Sequence, residues 1–172
     1  MTASIRILVV LALSILSSAT GAADAPPAVA ASAESPAATS EASTPTYDPA
    51  LAARTGADER GMRPYVLVIL KSSATPVPKG EPRDAMFRGH FANMERLAAA
   101  GKLVLAGPLD GVDGWRGLFV LAVDDIDAAR ALVATDPVVA EGEMVPEFHK
   151  YYGTAALMLI NELHAKLQKP AG

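Results

Sequence analysis

The sequence predicts an α+β domain in which strands and helices follow one another as β-α-β-β-α-β. Three observations predict it. Short valine- and isoleucine-rich runs alternate with segments of helical spacing. Glycine and proline cluster between them. Two of the strands are separated only by residues 108–114, which include the turn chemistry of Gly111–Gly114 (GVDG) and leave too little room for a crossover helix.

Ahead of these elements lie two segments of another kind. Arg6 and the apolar run Ile7–Leu16, followed by small residues up to Ala23, have the layout of a secretory signal peptide, assigned to residues 1–23. The apolar run is too short to span a bilayer comfortably. No cysteine follows it, which removes a lipoprotein anchor. The expected location is therefore periplasmic or secreted, with no stable membrane anchor after cleavage. Residues 24–61 read as a disordered linker rich in Ala, Pro, Ser and Thr, because such a composition buries too little apolar area to offset its ordering entropy. Prolines 26, 27, 36, 45 and 49 interrupt its alanine tracts. A turn of helix is expected within 51–62.

The folded unit is expected over residues 62–153. Pro64–Lys71 (PYVLVILK) is apolar and β-branched, hence a buried strand. Pro82–Ala100 carries Phe87, Phe91, Met94 and Leu97–Ala98 at helical spacing, and Gly101 ends it. Leu103–Gly107 and Trp115–Val123 are the next two strands. Asp124 or Asp125 caps a second helix with Ile126, Ala129 and Leu132–Val133 facing inward. Met144–Tyr151 is the fourth strand, which Pro146 confines to an edge or a bulge. This order is the split βαβ sandwich of the ferredoxin-like type. Residues 154–172 form a C-terminal extension, with a helix from Thr154 to Leu167 whose stripe is Ala156, Leu159–Ile160, Leu163 and Leu167. A sheet with helices on one face leaves the other face bare, and packing two copies together covers it, so a homodimer is expected.

Composition excludes several functions. A net charge of -4 lacks the basic surface that nucleic acid requires. Zero cysteines remove thiolate catalysis, disulfides, iron–sulfur clusters and cysteine-type zinc sites. Neither a phosphate-cradling glycine loop, nor HExxH, nor an EF-hand, nor a GxSxG elbow occurs.

What remains is a small set of polar residues. His90, between Phe87 and Met94 at the margin of the apolar stripe, can exchange a proton near neutral pH once a partner fixes its tautomer. Alternatively it is a core-edge histidine satisfied by a backbone carbonyl. Asp136, before Pro137, is an ordinary helix N-cap. It can also orient His90 and stabilise its imidazolium, one oxygen capping while the other meets the ring. Arg88 emerges on a different helix face and can clamp an anionic substrate or remain solvated. Gly107 and Pro108 border the expected pocket. His149 is placed towards the open face, Trp115 is assigned to dimer packing, and His164 faces solvent.

These residues resemble the YciI-like, or YCII-related, domain family over roughly Arg63–Tyr152. The resemblance rests on Arg88 and His90, Gly101, Ala106-Gly107-Pro108, Gly117, Asp136-Pro137 and Gly142, within the blocks FRGH, AGKLVLAGP and ATDPVVAEG. It implies a ferredoxin-like fold pairing as a dimeric α+β barrel. It also implies a His–Asp active-site pair at His90 and Asp136, with neither metal nor organic cofactor, in a superfamily of isomerases and dehydrochlorinases acting on small oxidised rings. Some relatives carry a serine in the third strand; this chain reads Gly117-Leu118-Phe119. Two functions follow: an acid–base lyase or isomerase acting on a small polar ring or enol, or a non-catalytic periplasmic dimer that binds a small ligand or partner.

Overall fold

The computed structural model describes residues 46–169. Residues 1–23, expected to be a signal peptide, and residues 24–45 of the expected linker lie outside the described residues. Within them a helix α1 (Pro49–Thr55) precedes the sheet. Four strands follow, β1 (Met62–Ser72), β2 (Leu103–Pro108), β3 (Trp115–Leu121) and β4 (Met144–Thr154), in the spatial order β2-β3-β1-β4 with every neighbouring pair antiparallel. Helix α2 (Glu81–Ala99) connects β1 to β2, while α3 (Ile126–Val133) and the single turn α4 (Pro137–Ala140) connect β3 to β4. The extension adds a 3-10 turn (Ala155–Leu159) and α5 (Ile160–Leu167). This is the expected ferredoxin-like β-α-β-β-α-β arrangement, and Pro146 does fall on an edge strand.

The alternation of side chains along β1 divides the core in two. Val66, Val68 and Leu70 join Phe119 and Leu121 beneath the helices, with Met86, Leu97, Ala129 and Val133 above them. Tyr65 lies with Val120 and Ala122 on the opposite face.

Three expectations need correction. The segment 24–61 is not all linker: Asp48 caps α1 through two backbone N–H groups, Pro49 takes a first-turn position and Gly56 closes the helix in the left-handed region. Arg63 holds α1 against the sheet through a bond from its guanidinium to the Thr55 carbonyl. Secondly, the most buried line of α2 is Met86, His90, Asn93 and Leu97, while Phe91 is 58% exposed. The stripe is displaced by one position because His90 and Asn93 meet polar partners inside. Thirdly, β4 runs on to Thr154, so the helix expected from Thr154 begins only at Ile160, after a 3-10 turn, with Leu163 and Leu167 exposed. Leu157 and Met158, on the 3-10 turn, pack on the open face instead.

Candidate active site

Helix α2 and the turn leading into α4 meet at Gly89, where an added Cβ would stand 3.0 Å from the Pro137 ring. The missing side chain lets the next residue, His90, reach across. Its Nδ1 donates to both carboxylate oxygens of Asp136, at 2.9 and 2.8 Å. Asp136 is wholly buried, and its Oδ1 also accepts the Val138 N–H at 3.2 Å. Capping and imidazole binding therefore coexist, with the ring nitrogen straddling the carboxylate instead of taking one oxygen for itself. A carboxylate can only accept, so Nδ1 carries the hydrogen and the neutral ring keeps its lone pair on Nε2. Nε2 has no hydrogen-bond partner among the described residues.

Three phenylalanines fix the plane of the ring. Phe119 stacks on it at 6.0 Å, Phe87 meets it edge-on at 6.2 Å and Phe91 lies tilted at 5.3 Å. The turn bearing Asp136 is tied back to α2 by its neighbour: Thr135 donates to the Asn93 side-chain oxygen, and Arg96 donates to both. Neither Asn93 nor Thr135 is signalled by the sequence, since their contact joins positions 42 apart in the chain.

His90 lines a cavity of about 270 Å³ whose other walls include Leu70, Phe87, Phe91, Met94, Gly107, Pro108 and Met144. Gly107 and Pro108 thus stand where the sequence places them. Arg88 does not: it is exposed and absent from the cavity wall, because two helical positions turn it away from His90. The arginine that does line the cavity is Arg116. Leu70 pairs with Gly117 and Lys71 with Trp115, so Arg116 is the extra residue of a β-bulge. A bulge re-aims the side chain that it carries. A period-two reading of β3 puts Arg116 on the other face and misses it.

Glu143, fully buried, stands behind Arg116. It accepts from Arg83 through both oxygens and from the Val77 N–H at 2.9 Å. The Arg116 guanidinium lies 3.7 Å from its Oε1. Burial alone acts to raise the Glu143 pKa, but the Arg83 hydrogen bond, the Val77 N–H and the charges of Arg83 and Arg116 outweigh it and hold the carboxyl below the usual range. The sequence offers only Gly142 beside it as a turn signal, and nothing local marks it as buried. His149 lies on the opposite face of the sheet, bonded to Glu147, and His164 is exposed. Trp115 is 41% exposed. No group of three or more residues able to hold a metal ion occurs among the described residues, and no helix there is long and apolar enough to cross a membrane.

The fold and site define a ferredoxin-like α+β domain with a buried His–Asp pair opening onto a small apolar cavity. The family model for the YCII-related domain matches residues 64–146, which contain both members of the pair, so this stretch of the chain carries a match to the YCII-related domain. Among solved structures, the chain is similar to 5-chloro-2-hydroxyhydroquinone dehydrochlorinase (TftG) from Burkholderia phenoliruptrix AC1100, in complex with 2,5-dihydroxybenzoquinone. The match covers 50% of this chain and 92% of that one, at 19% identity and a TM-score of 0.37. No curated protein matches the chain.

Proposed function

We propose that the protein is an acid–base enzyme of the lyase or isomerase type, acting on a small polar ring or enol without a resident metal or organic cofactor. One observation carries this reading: the His90 ring is held on Asp136 through Nδ1, while Nε2 stays unpartnered in a residue that lines a cavity. The cavity suits a small ring, since apolar cavities of roughly 150 Å³ already accept benzene. Nε2 takes a proton from a carbon beside a carbonyl, and the electron pair of the broken C–H bond moves into an enolate. Asp136 stabilises the imidazolium formed. Returning the proton at another carbon completes an isomerisation. Expelling a leaving anion from the neighbouring carbon completes an elimination, and His90 then releases its proton to solvent. The terminal helix contributes no residue to the cavity, which supports the enzymatic reading over a purely binding one in which that helix seals the histidine; a seal by dimer packing is the other arrangement that would favour binding.

The same reading takes the protein as exported, on the strength of residues 1–23, and as a homodimer through the open face of the sheet. That face keeps Leu105, Val145 and Tyr151 partly exposed at 37%, 52% and 39%. Light scattering of the full chain is expected to give twice the monomer mass at micromolar concentration. A monomer mass there refutes the dimer.

The dyad is tested by NMR titration of the His90 imidazole in the wild type and in Asp136→Asn. The substitution keeps an oxygen for the cap but removes the charge facing the ring. The two titration midpoints are expected to differ; identical curves would reduce Asp136 to a helix cap. Asp136→Ala is expected to lose the cap as well, a further cost of about 1 kcal/mol.

A further inference from the structure

The cavity wall holds two polar side chains among its lining residues, His90 and Arg116; the rest is leucine, methionine, phenylalanine, glycine and proline. His90 supplies a proton-transfer group. Arg116 supplies a permanent cation, and its guanidinium has no hydrogen bond among the described residues. The carboxylate nearest to it is already satisfied, because Glu143 is bonded by Arg83 and by the Val77 N–H. At 3.7 Å, Arg116 adds a charge contact to Glu143 without a hydrogen bond. Two guanidiniums against the single Glu143 carboxylate make the Arg116 end of the cavity locally positive, apart from the Asp136 carboxylate that stands behind His90. Moreover, a β-bulge, which interrupts the ladder between β1 and β3, is what turns this arginine to the cavity side. An arginine with five unused donors in a largely apolar enclosure is an anion receptor.

We propose that Arg116 binds an anionic oxygen of the substrate, and that the cavity selects small planar rings carrying one carboxylate, enolate or phenolate group. This rests on the small-ring reading above and narrows it. The anion held by Arg116 fixes one end of the ring, while Phe87, Phe91 and Phe119 wall the apolar body. Arg83, over the face of Phe87 at 4.8 Å, locks the Glu143 carboxylate and so keeps it from claiming the Arg116 donors.

Benzoate and its neutral counterpart benzyl alcohol are the probes, titrated separately into the full chain and followed by shifts of the His90 ring resonances and by calorimetry. Benzoate is expected to bind at least about tenfold more tightly, the difference that one charge-assisted hydrogen-bond pair supplies. Arg116→Met should abolish that preference while leaving benzyl alcohol binding unchanged, and Arg116→Lys should restore part of it. Arg88→Met, altering the exposed arginine on the outer face of α2, should leave the preference intact. Equal binding of both probes by the wild type, with the His90 resonances shifted, overturns the anion assignment and leaves the small-ring reading standing. Failure of both probes to perturb His90 overturns the two together. A preference that survives Arg116→Met assigns the charge elsewhere and overturns the role of Arg116.

Discussion

The two faces of the sheet carry charge in opposite ways. Beneath the helices, Asp136 and Glu143 are fully buried: Asp136 is held by His90, 46 positions away, and by the adjacent Val138 N–H, and Glu143 by Arg83 and the Val77 N–H, 60 and 66 positions away. On the open face, Glu147 bridges Lys71 at 3.1 Å and His149 at 2.7 Å, with side chains 38–50% exposed. A buried carboxylate stripped of a partner leaves an uncompensated charge or an unpaired donor, so its neighbours become obligatory. The exposed triad exchanges protein partners for water at little cost. The difference teaches where chemistry can be built: only the helix face has the enclosure that makes geometry binding. The open face is only partly covered within the chain, by Leu157 and Met158 laid over Tyr65, Val104, Val120 and Ala122, while Leu105, Val145 and Tyr151 stay partly exposed.

The contrast should break most visibly at Glu143. Glu143→Ala leaves Arg83 and the Val77 N–H without their acceptor and is expected to cost about 3–5 kcal/mol by urea denaturation. Glu143→Gln tests the charge alone. The folded-state carboxyl is held below its ordinary value of 4.5, so its stabilisation is complete above that pH and is lost as pH falls through the folded value. Stability of the wild type should therefore decline between about pH 5 and pH 3 more steeply than that of Glu143→Gln. Parallel curves would remove Glu143 from the acid sensitivity. A smaller effect is expected at Gly89→Ala. Alanine gains about 1 kcal/mol in helix propensity, but a Cβ 3.0 Å from Pro137 forces α2 and α4 apart at a cost of about 1–3 kcal/mol. The net loss should be near 1 kcal/mol, and the His90 titration should shift towards that of Asp136→Asn. An unchanged titration would show that the turn absorbs the methyl group. Smallest of all is Lys71→Met on the open face, which should leave the urea midpoint within experimental scatter. A clear fall there would erase the distinction between the faces.

Much of the fold was legible because its signals are local. The valine-rich run of β1, Gly101 after α2, the GVDG turn and the Asp136-Pro137 cap each act within a few residues. Helix α1 is equally local, with Asp48 capping it, Pro49 opening it and Gly56 closing it; the turn of helix expected within 51–62 catches its body, while the alanine- and proline-rich composition masks its start at Pro49. What escaped depends on partners distant in the chain. Glu143 is buried because Arg83 lies 60 positions away, and Asn93 because Thr135 does at 42. Arg116 faces the cavity because two strands slip by one residue, a matter of register that neither strand encodes alone. Arg88 was the arginine visible beside His90, and helical rotation removes it from the site. His90 and Asp136 themselves were visible as a family pattern, and their contact was feasible once both helices shared one face.

Because Asp136 serves His90 and the Val138 amide with the same carboxylate, the two bonds rise and fall together. The Val138 hydrogen is then a spectator with a view of the chemistry. Its exchange with deuterated solvent requires the α4 turn to open, and opening also releases the imidazole. A single backbone proton, read without substrate or assay, thus reports the fraction of time that the pair is assembled, and a ligand that steadies the pair should slow that exchange.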